Sequence, residues 1–270
     1  WYTENKGYEL KIIATTADGV IDLDCLKKYL SESPDKIAMV TVMAANNETG
    51  VIQPLKEISA ECIKREIPFF CDTTQFIGKV PFNFKESGID YAITSGHKFG
   101  ALTGTGILLA KDRTTLKPII IGGGQEKGLR GGTQNYLGNE TLAVALTTIQ
   151  KNFARIEELT QKRTEFEGKL KEKYPSIFIV GENAPRLATT TYIAYPGIHG
   201  QAVQIELESQ GIFVTTSSAC SDNEPVTSKV LKAMGLSDDI GRGVVRISVG
   251  LCSPNEVYQE IYEALSKAYE

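Results

Sequence analysis

The chain has 270 residues, 41% of them hydrophobic and 23% charged, a balance that suits a soluble globular protein with one sizeable core and a smaller satellite, and that excludes disordered and fibrous classes. A formal charge of −4 gives no global field for nucleic acid or an anionic membrane, and no run approaches the roughly 18 apolar residues of a membrane span. The cysteines (Cys25, Cys62, Cys71, Cys220 and Cys252) are odd in number and scattered without a CxxC pair, so neither disulfides nor zinc are expected and a reducing, cytoplasmic setting fits. The chain opens on Trp1 with neither a basic n-region nor an apolar h-region, and further sequence is expected upstream.

In chain order, Tyr8–Thr15 reads as a strand, Asp18-Gly19 as a turn and Leu23–Glu32 as a helix. Ile37–Ala44 is a continuous apolar run with β-branched residues, the pattern of a parallel strand buried on both faces. A helix over Pro54–Arg65 follows, then strands at Ile67–Cys71, Tyr91–Thr94 and Gly106–Ala110. Strands alternating with helices predict right-handed βαβ units around a mostly parallel sheet flanked by helices. Gly122-Gly123-Gly124 opens a glycine-rich stretch through Gly128, Gly131 and Gly132, too flexible for the interior of an element.

A single long helix from Leu142 to Tyr174 is predicted next, connecting to a second unit. There the pattern gives strands at Ile177–Val180, Thr189–Ala194, Phe213-Val214 and Val244–Val249. Helices are expected over Gly200–Gln210, around Val226–Met234, and from Pro254 to the end. The expected division is a large domain over 1–152 and a smaller α+β domain over 153–270.

The chemistry-bearing residues gather at predicted strand ends, where open α/β sheets bind ligands. Thr94-Ser95-Gly96-His97-Lys98 follows one strand, and a lysine there can act as an imine-forming amine once burial or a neighbouring cation lowers its pKa from about 10.4. Asp72, in Asp72-Thr73-Thr74-Gln75, can hold a pyridine nitrogen protonated; the same spacing also fits a capping box at a helix start. Asn46-Asn47-Glu48-Thr49-Gly50 follows the apolar strand and is either turn chemistry or, through Asn47, a contact to an oxygen of cofactor or substrate.

Arg246 interrupts the apolar strand Val244-Val245-Arg246-Ile247-Ser248. Its guanidinium suits a substrate carboxylate, against an edge-strand or internal salt-bridge role. Cys220, in Ser217-Ser218-Ala219-Cys220-Ser221-Asp222-Asn223, sits in a small, polar stretch that reads as an exposed loop, whereas Cys62 and Cys71 read as buried structural thiols.

Taken together, Ala45-Asn46-Asn47-Glu48-Thr49-Gly50, Asp72-Thr73-Thr74-Gln75, Ser95-Gly96-His97-Lys98, the glycine-rich Gly122–Asn135, Ser217-Ser218-Ala219-Cys220 and Val245-Arg246-Ile247-Ser248 resemble the ordered motifs of cysteine desulfurases of the NifS/IscS type, within fold-type I pyridoxal-phosphate enzymes and the class V aminotransferases. The resemblance covers nearly the whole chain. It implies that Lys98 is the cofactor-bearing lysine, that Asp72 pairs with the pyridinium nitrogen, and that Gln75 and Asn47 contact the phenolic oxygen or the substrate. It further implies that Ser95 and His97 bind the phosphate, and that Arg246 receives the carboxylate of L-cysteine. Thr133 would reach the phosphate of a neighbouring subunit, implying a homodimer. Independently of the resemblance, Arg130, among the glycines, reads as an interface or phosphate residue.

The resemblance also implies that Cys220 carries sulfur as a persulfide, later passed to an iron–sulfur scaffold or to a sulfur carrier for tRNA modification. A thiol with pKa of about 8.5 is only about 3% thiolate at pH 7, and Asp222 and Glu224 raise that pKa, so activation must come from the bound ring or a histidine. The family's cofactor-stacking histidine matches neither His97 nor His199 and is expected in a preceding N-terminal segment. Where the family has a Gly-Pro-Lys-Gly-like turn after the lysine, this chain has Phe99-Gly100-Ala101-Leu102-Thr103-Gly104. The rival readings are another fold-type I enzyme, such as an aminotransferase or selenocysteine lyase, and an inactive scaffold that keeps the fold.

Overall fold

The computed structural model describes residues 7–216 and 227–270. Its first sheet has four strands in the order β1 (Val40–Met43), β2 (Phe69–Asp72), β3 (Tyr91–Ser95) and β4 (Gly106–Ala110). The first three run parallel, and β4 turns back antiparallel on β3 from Tyr91↔Ala110 to Ser95↔Gly106. The register sets Met43 beside Asp72 and Asp72 beside Ile93, so three carboxyl-terminal ends meet at one edge.

Period-two alternation aims Phe69, Cys71 and Ala92 at one face, where they are fully buried. Helices α1 (Leu23–Glu32) and α2 (Leu55–Ile63) cover that face with Leu26, Leu30, Ile58 and Cys62. Asp22 caps α1 by accepting from Asp24 N at 2.9 Å and Cys25 N at 3.0 Å. The opposite face is open at β1: Thr41 and Met43 are exposed, so the expectation of a strand buried on both sides is corrected to one-sided burial. Tyr8–Thr15 is not a strand either. Only an isolated bridge, Thr15↔Ile21, forms there, and Tyr8, Leu10 and Ile12 are exposed; alternation creates a face, but a ladder also needs a neighbour.

The predicted single long helix is two, α3 (Tyr136–Asn152) and α4 (Arg155–Lys173), broken at Phe153-Ala154. Just past the break, Arg155 Nη2 donates to Ser253 O and Asn255 Oδ1, both at 3.0 Å, which ties the start of α4 to the far end of the chain. Helical periodicity is blind to such a change of direction. The second sheet is antiparallel in the order β5 (Phe178–Ile179), β6 (Thr190–Ala194), β8 (Val244–Ser248), β7 (Thr215–Thr216). The last of these strands falls two residues later than expected, leaving Phe213 83% exposed.

Both faces of this sheet are covered. Ile193, Val245 and Ile247 pack against α4, α5 (Gly200–Ser209) and α8 (Val257–Tyr269), and Tyr192 and Val244 pack against Leu231 of α6 (Lys229–Ala233). A further short helix, α7 (Asp238–Gly243), has no counterpart in the expectations; Ser237 caps it by accepting from Ile240 N at 3.4 Å. Among the described residues no helix is long and apolar enough to cross a membrane.

The two sheets are joined by backbone pairing. Val51 bridges Arg186, Ile52 N donates to Pro185 O at 2.8 Å, and Leu187 N donates to Gly50 O at 2.9 Å. Gly50 has φ +73°, and a Cβ there would lie 2.9 Å from Thr190 Cβ, so the close approach of this turn to β6 requires glycine. Arg186 is fixed in turn by Glu167 of α4, which it meets with both Nη1 (2.8 Å) and Nη2 (2.7 Å), while Arg163 Nη1 and Thr191 Oγ1 also donate to Glu167. Burial pushes the Glu167 carboxyl up, but the bonds from Arg186, the charge of Arg163 and the Thr191 hydroxyl outweigh it and the net direction is down. Removing that carboxylate strands two buried guanidinium groups. Glu167→Gln should therefore cost about 3 kcal/mol in urea unfolding, and a loss of under about 0.5 kcal/mol, the scale of an ordinary surface substitution, would contradict this role.

Candidate active site

The carboxyl edge of β1–β3 assembles most of the residues singled out from sequence. After β1 the chain turns through Asn46, whose Oδ1 accepts from Glu48 N at 2.9 Å and Thr49 N at 3.0 Å. Asn46 thus does the turn chemistry, and the exposed Asn47 is presented at the tip. Arg246 Nη1, from the second sheet, donates to Asn47 O at 2.8 Å. Its Nε is buried and has no partner among the described residues. Arg246 lies on β8 between β6 and β7, so the edge-strand role is set aside; among the described residues it forms no ion pair.

Asp72 ends β2, and its Oδ1 accepts from Thr74 N at 2.9 Å, an Asx turn rather than a capping box: no α-helix starts there. Gln75 does not reach back to Asp72 either; its Oε1 accepts from Lys79 Nζ. Beyond β3, Gly96–Phe99 forms a single 3-10 turn that carries His97 and Lys98 exposed on its outer side, with Ser95 Oγ and His97 Nδ1 2.9 Å apart. Phe99 and Ala101 anchor that turn against Leu142 of α3, and Leu102 N donates to Thr141 Oγ1 at 3.1 Å.

Lys79 was not anticipated. Burial, the charge of Lys98 and the charge of Arg246 push its pKa from the ordinary 10.5 to about 8, so Lys79 lies within electrostatic reach of two other cations. The signal lay in the sequence as Gly78-Lys79, one turn beyond Gln75, but nothing in the spacing says that this lysine turns inward. Gly78 explains it: with φ +84°, it brings its backbone so close to the lysine-bearing turn that a Cβ would sit 2.8 Å from Phe99 Cβ.

Thr133 is exposed and among the described residues makes no contact with this cluster. Cys220 lies outside the described residues. Cys62 and Cys71 are buried as expected, and burial is the main cause that pushes their thiols up to about 11 and about 12; the Asp72 charge adds to it at Cys71. Neither is poised as a nucleophile.

Because the folded pKa of Lys79 is depressed, the unfolded chain binds more protons between about pH 8 and 10.5. Stability contributed here should be lowest below pH 8 and recover as pH rises to 10.5. Urea unfolding of wild type and Lys79→Met across that range should show this recovery only in wild type, and parallel profiles would contradict it.

Residues 2–259 match the model of the family described as aminotransferase class-V. The chain is 35% identical over 269 residues to a cysteine desulfurase of Nostoc sp., and the match spans 99% of this chain and 66% of that one. It is 30% identical to the cysteine desulfurase IscS of Dictyoglomus turgidum, over 100% of this chain and 68% of that one. A crystallographic NifS-like protein from Rickettsia africae superposes with a TM-score of 0.87 at 32% identity, covering 99% of this chain and 71% of that one. The chain thus spans about two thirds of the length of the curated relatives it matches. With its strand ends and turns arranged as in that NifS-like fold, the chain belongs to the aminotransferase class-V family, on the branch of the NifS/IscS-type cysteine desulfurases.

Proposed function

We propose that the protein of which this chain forms part is a pyridoxal-phosphate-dependent cysteine desulfurase, converting L-cysteine to L-alanine and holding the sulfur as a persulfide on Cys220. The observation that carries this reading is the cluster in which Lys79 donates to Gln75 Oε1 and feels the charges of both Lys98 and Arg246, next to the end of β2 that carries Asp72. The donor set fits the cofactor and substrate. Asp72 offers an acceptor for a protonated ring nitrogen, and Oδ2 accepts from no described residue. Gln75, its carbonyl taken by Lys79, offers N–H to a ring oxygen. Ser95 and His97 offer polar groups to a phosphate, Lys98 an exposed amine, and the unpartnered Arg246 Nε a donor to an α-carboxylate.

When bound, the cofactor supplies an electron sink for the α-carbon of the substrate. The chain's own residues supply the rest. Asn47 and Arg246, locked together, hold the amino acid by its carboxylate, and Lys98 is the base placed to move the α-proton. At Cys220 an S–S bond to the substrate sulfur forms as the substrate C–S bond breaks. The electron pair stays with the carbon skeleton, which takes up one proton at Cβ, regains the α-proton from Lys98 and leaves as L-alanine.

The family supports a homodimer in which Thr133 serves the neighbouring phosphate, and the exposed Ile119, Ile121, Tyr136 and Leu137 around the glycine-rich segment support pairing there. A cytoplasmic enzyme that hands sulfur to an iron–sulfur scaffold or a tRNA-thiolation carrier, built of domains 1–152 and 153–270, completes the proposal. The test is to supply full-length protein with pyridoxal phosphate and L-cysteine and to measure alanine and sulfide. Lys98→Ala should lower alanine formation by at least about a hundredfold, the scale of a lost acid–base group. Cys220→Ala should abolish persulfide and sulfide, while Cys252→Ala, at an exposed thiol, should change neither. Sulfide release unchanged in Cys220→Ala would remove the acceptor role and point instead to another fold-type I activity.

A further inference from the structure

We propose that Lys79 is a positioning residue of this site: it captures the carbonyl oxygen of Gln75 and so turns the amide N–H of Gln75 outward, as an obligate donor to the ring oxygen of the cofactor. The proposal deepens the pyridoxal-phosphate reading and rests on it.

A glutamine amide can turn either end toward a ligand, and a ring oxygen that carries negative charge needs the donor end. An ammonium has three donors and no acceptor, so Lys79 Nζ can bind only Gln75 Oε1, as observed, and one of the two amide orientations is removed. Two features define the surroundings of the ammonium. Gly78 seats the Phe76–Val80 turn directly on Phe99, which brings Lys79 up behind the turn that carries Lys98. Lys79 is also hemmed by charge: Lys98 faces it from the turn after β3, and Arg246 faces it from β8.

Together with burial, those two cations bring the titration of Lys79 to about pH 8. Above that pH the neutral amine gains a lone pair and can accept from the amide N–H, and the constraint on Gln75 is released.

The test is equilibrium binding of pyridoxal phosphate to full-length protein, followed by its absorbance, on both sides of pH 8 and without substrate. Wild-type affinity should contain a component that falls as pH rises through about 8. Lys79→Met should bind about tenfold more weakly below that pH and lack the component, the scale of one charge-assisted hydrogen bond. Lys79→Arg, which keeps a donor-only cation, should restore the affinity and hold it level above pH 8. Because the effect runs through the amide, Lys79→Met combined with Gln75→Ala should bind no more weakly than Gln75→Ala alone.

Additive losses in the double variant, or wild-type affinity and pH profile in Lys79→Met, would overturn the proposal. Asp72→Ala and Lys98→Ala distinguish this from failure of the underlying reading. If they weaken binding while Lys79→Met does not, only the role of Lys79 is lost; if neither weakens it, the cofactor assignment falls with it.

Discussion

The proposed site depends on a turn after the first parallel strand that is clasped to the second sheet. Gly50, Val51 and Ile52 pair with Pro185–Leu187, and Arg246 closes the same junction from β8 by donating to Asn47 O. Without that junction the carboxyl edge of β1–β3 would offer an amine, an amide and a carboxylate, with no cation from the second sheet to orient a substrate. In the Glu167 cluster the carboxylate pairs with both guanidinium groups, which is how they are tolerated in the interior even though the Nε atoms of Arg163 and Arg186 have no partner among the described residues. Rigidity at this junction matters chemically, since a substrate held an ångström away from the reacting groups reacts far more slowly.

The two lysines of the crevice are placed for different work. Lys98 stands on the outer side of a short turn, exposed and reachable by a ligand. Lys79 stands behind it, engaged with Gln75 and largely removed from water. Positive charge gathered from Lys79, Lys98 and Arg246 favours ligands that bring negative charge, and a cofactor phosphate with an amino-acid carboxylate answers that need. The buried thiols of Cys62 on α2 and Cys71 on β2 sit among apolar side chains, and that burial keeps them protonated.

Much of this was legible in the sequence, for identifiable reasons. Continuous or alternating apolar runs located β1, β2, β3, β6 and β8, because burial against helices forces the period-two pattern. Polar residues at strand ends marked the candidate site, because open α/β sheets bind ligands beyond the carboxyl ends of their strands. What failed depended on information outside local periodicity. Tyr8–Thr15 has the pattern of a strand but no neighbour among the described residues to pair with. The break at Phe153-Ala154 reflects a tie from Arg155 to Ser253 and Asn255, about a hundred positions later. Antiparallel β4 looks like any other strand in a βαβ series until its partner is known. Lys79 escaped notice because an inward-turned lysine is uncommon, and only the close approach of Gly78 to Phe99 places it there.

The central claim is that Asp72, Gln75, Lys98 and Arg246 surround one bound ring. The most direct measurement is a crystal structure of the full-length protein with pyridoxal phosphate and an unreactive analogue of L-cysteine. The account predicts the Asp72 carboxylate on the ring nitrogen, the Gln75 amide N–H on the ring oxygen, the Lys98 amine at the aldehyde carbon and Arg246 on the analogue's carboxylate. A ring bound elsewhere, or bound with Asp72 and Lys98 opening on different surfaces, would contradict it.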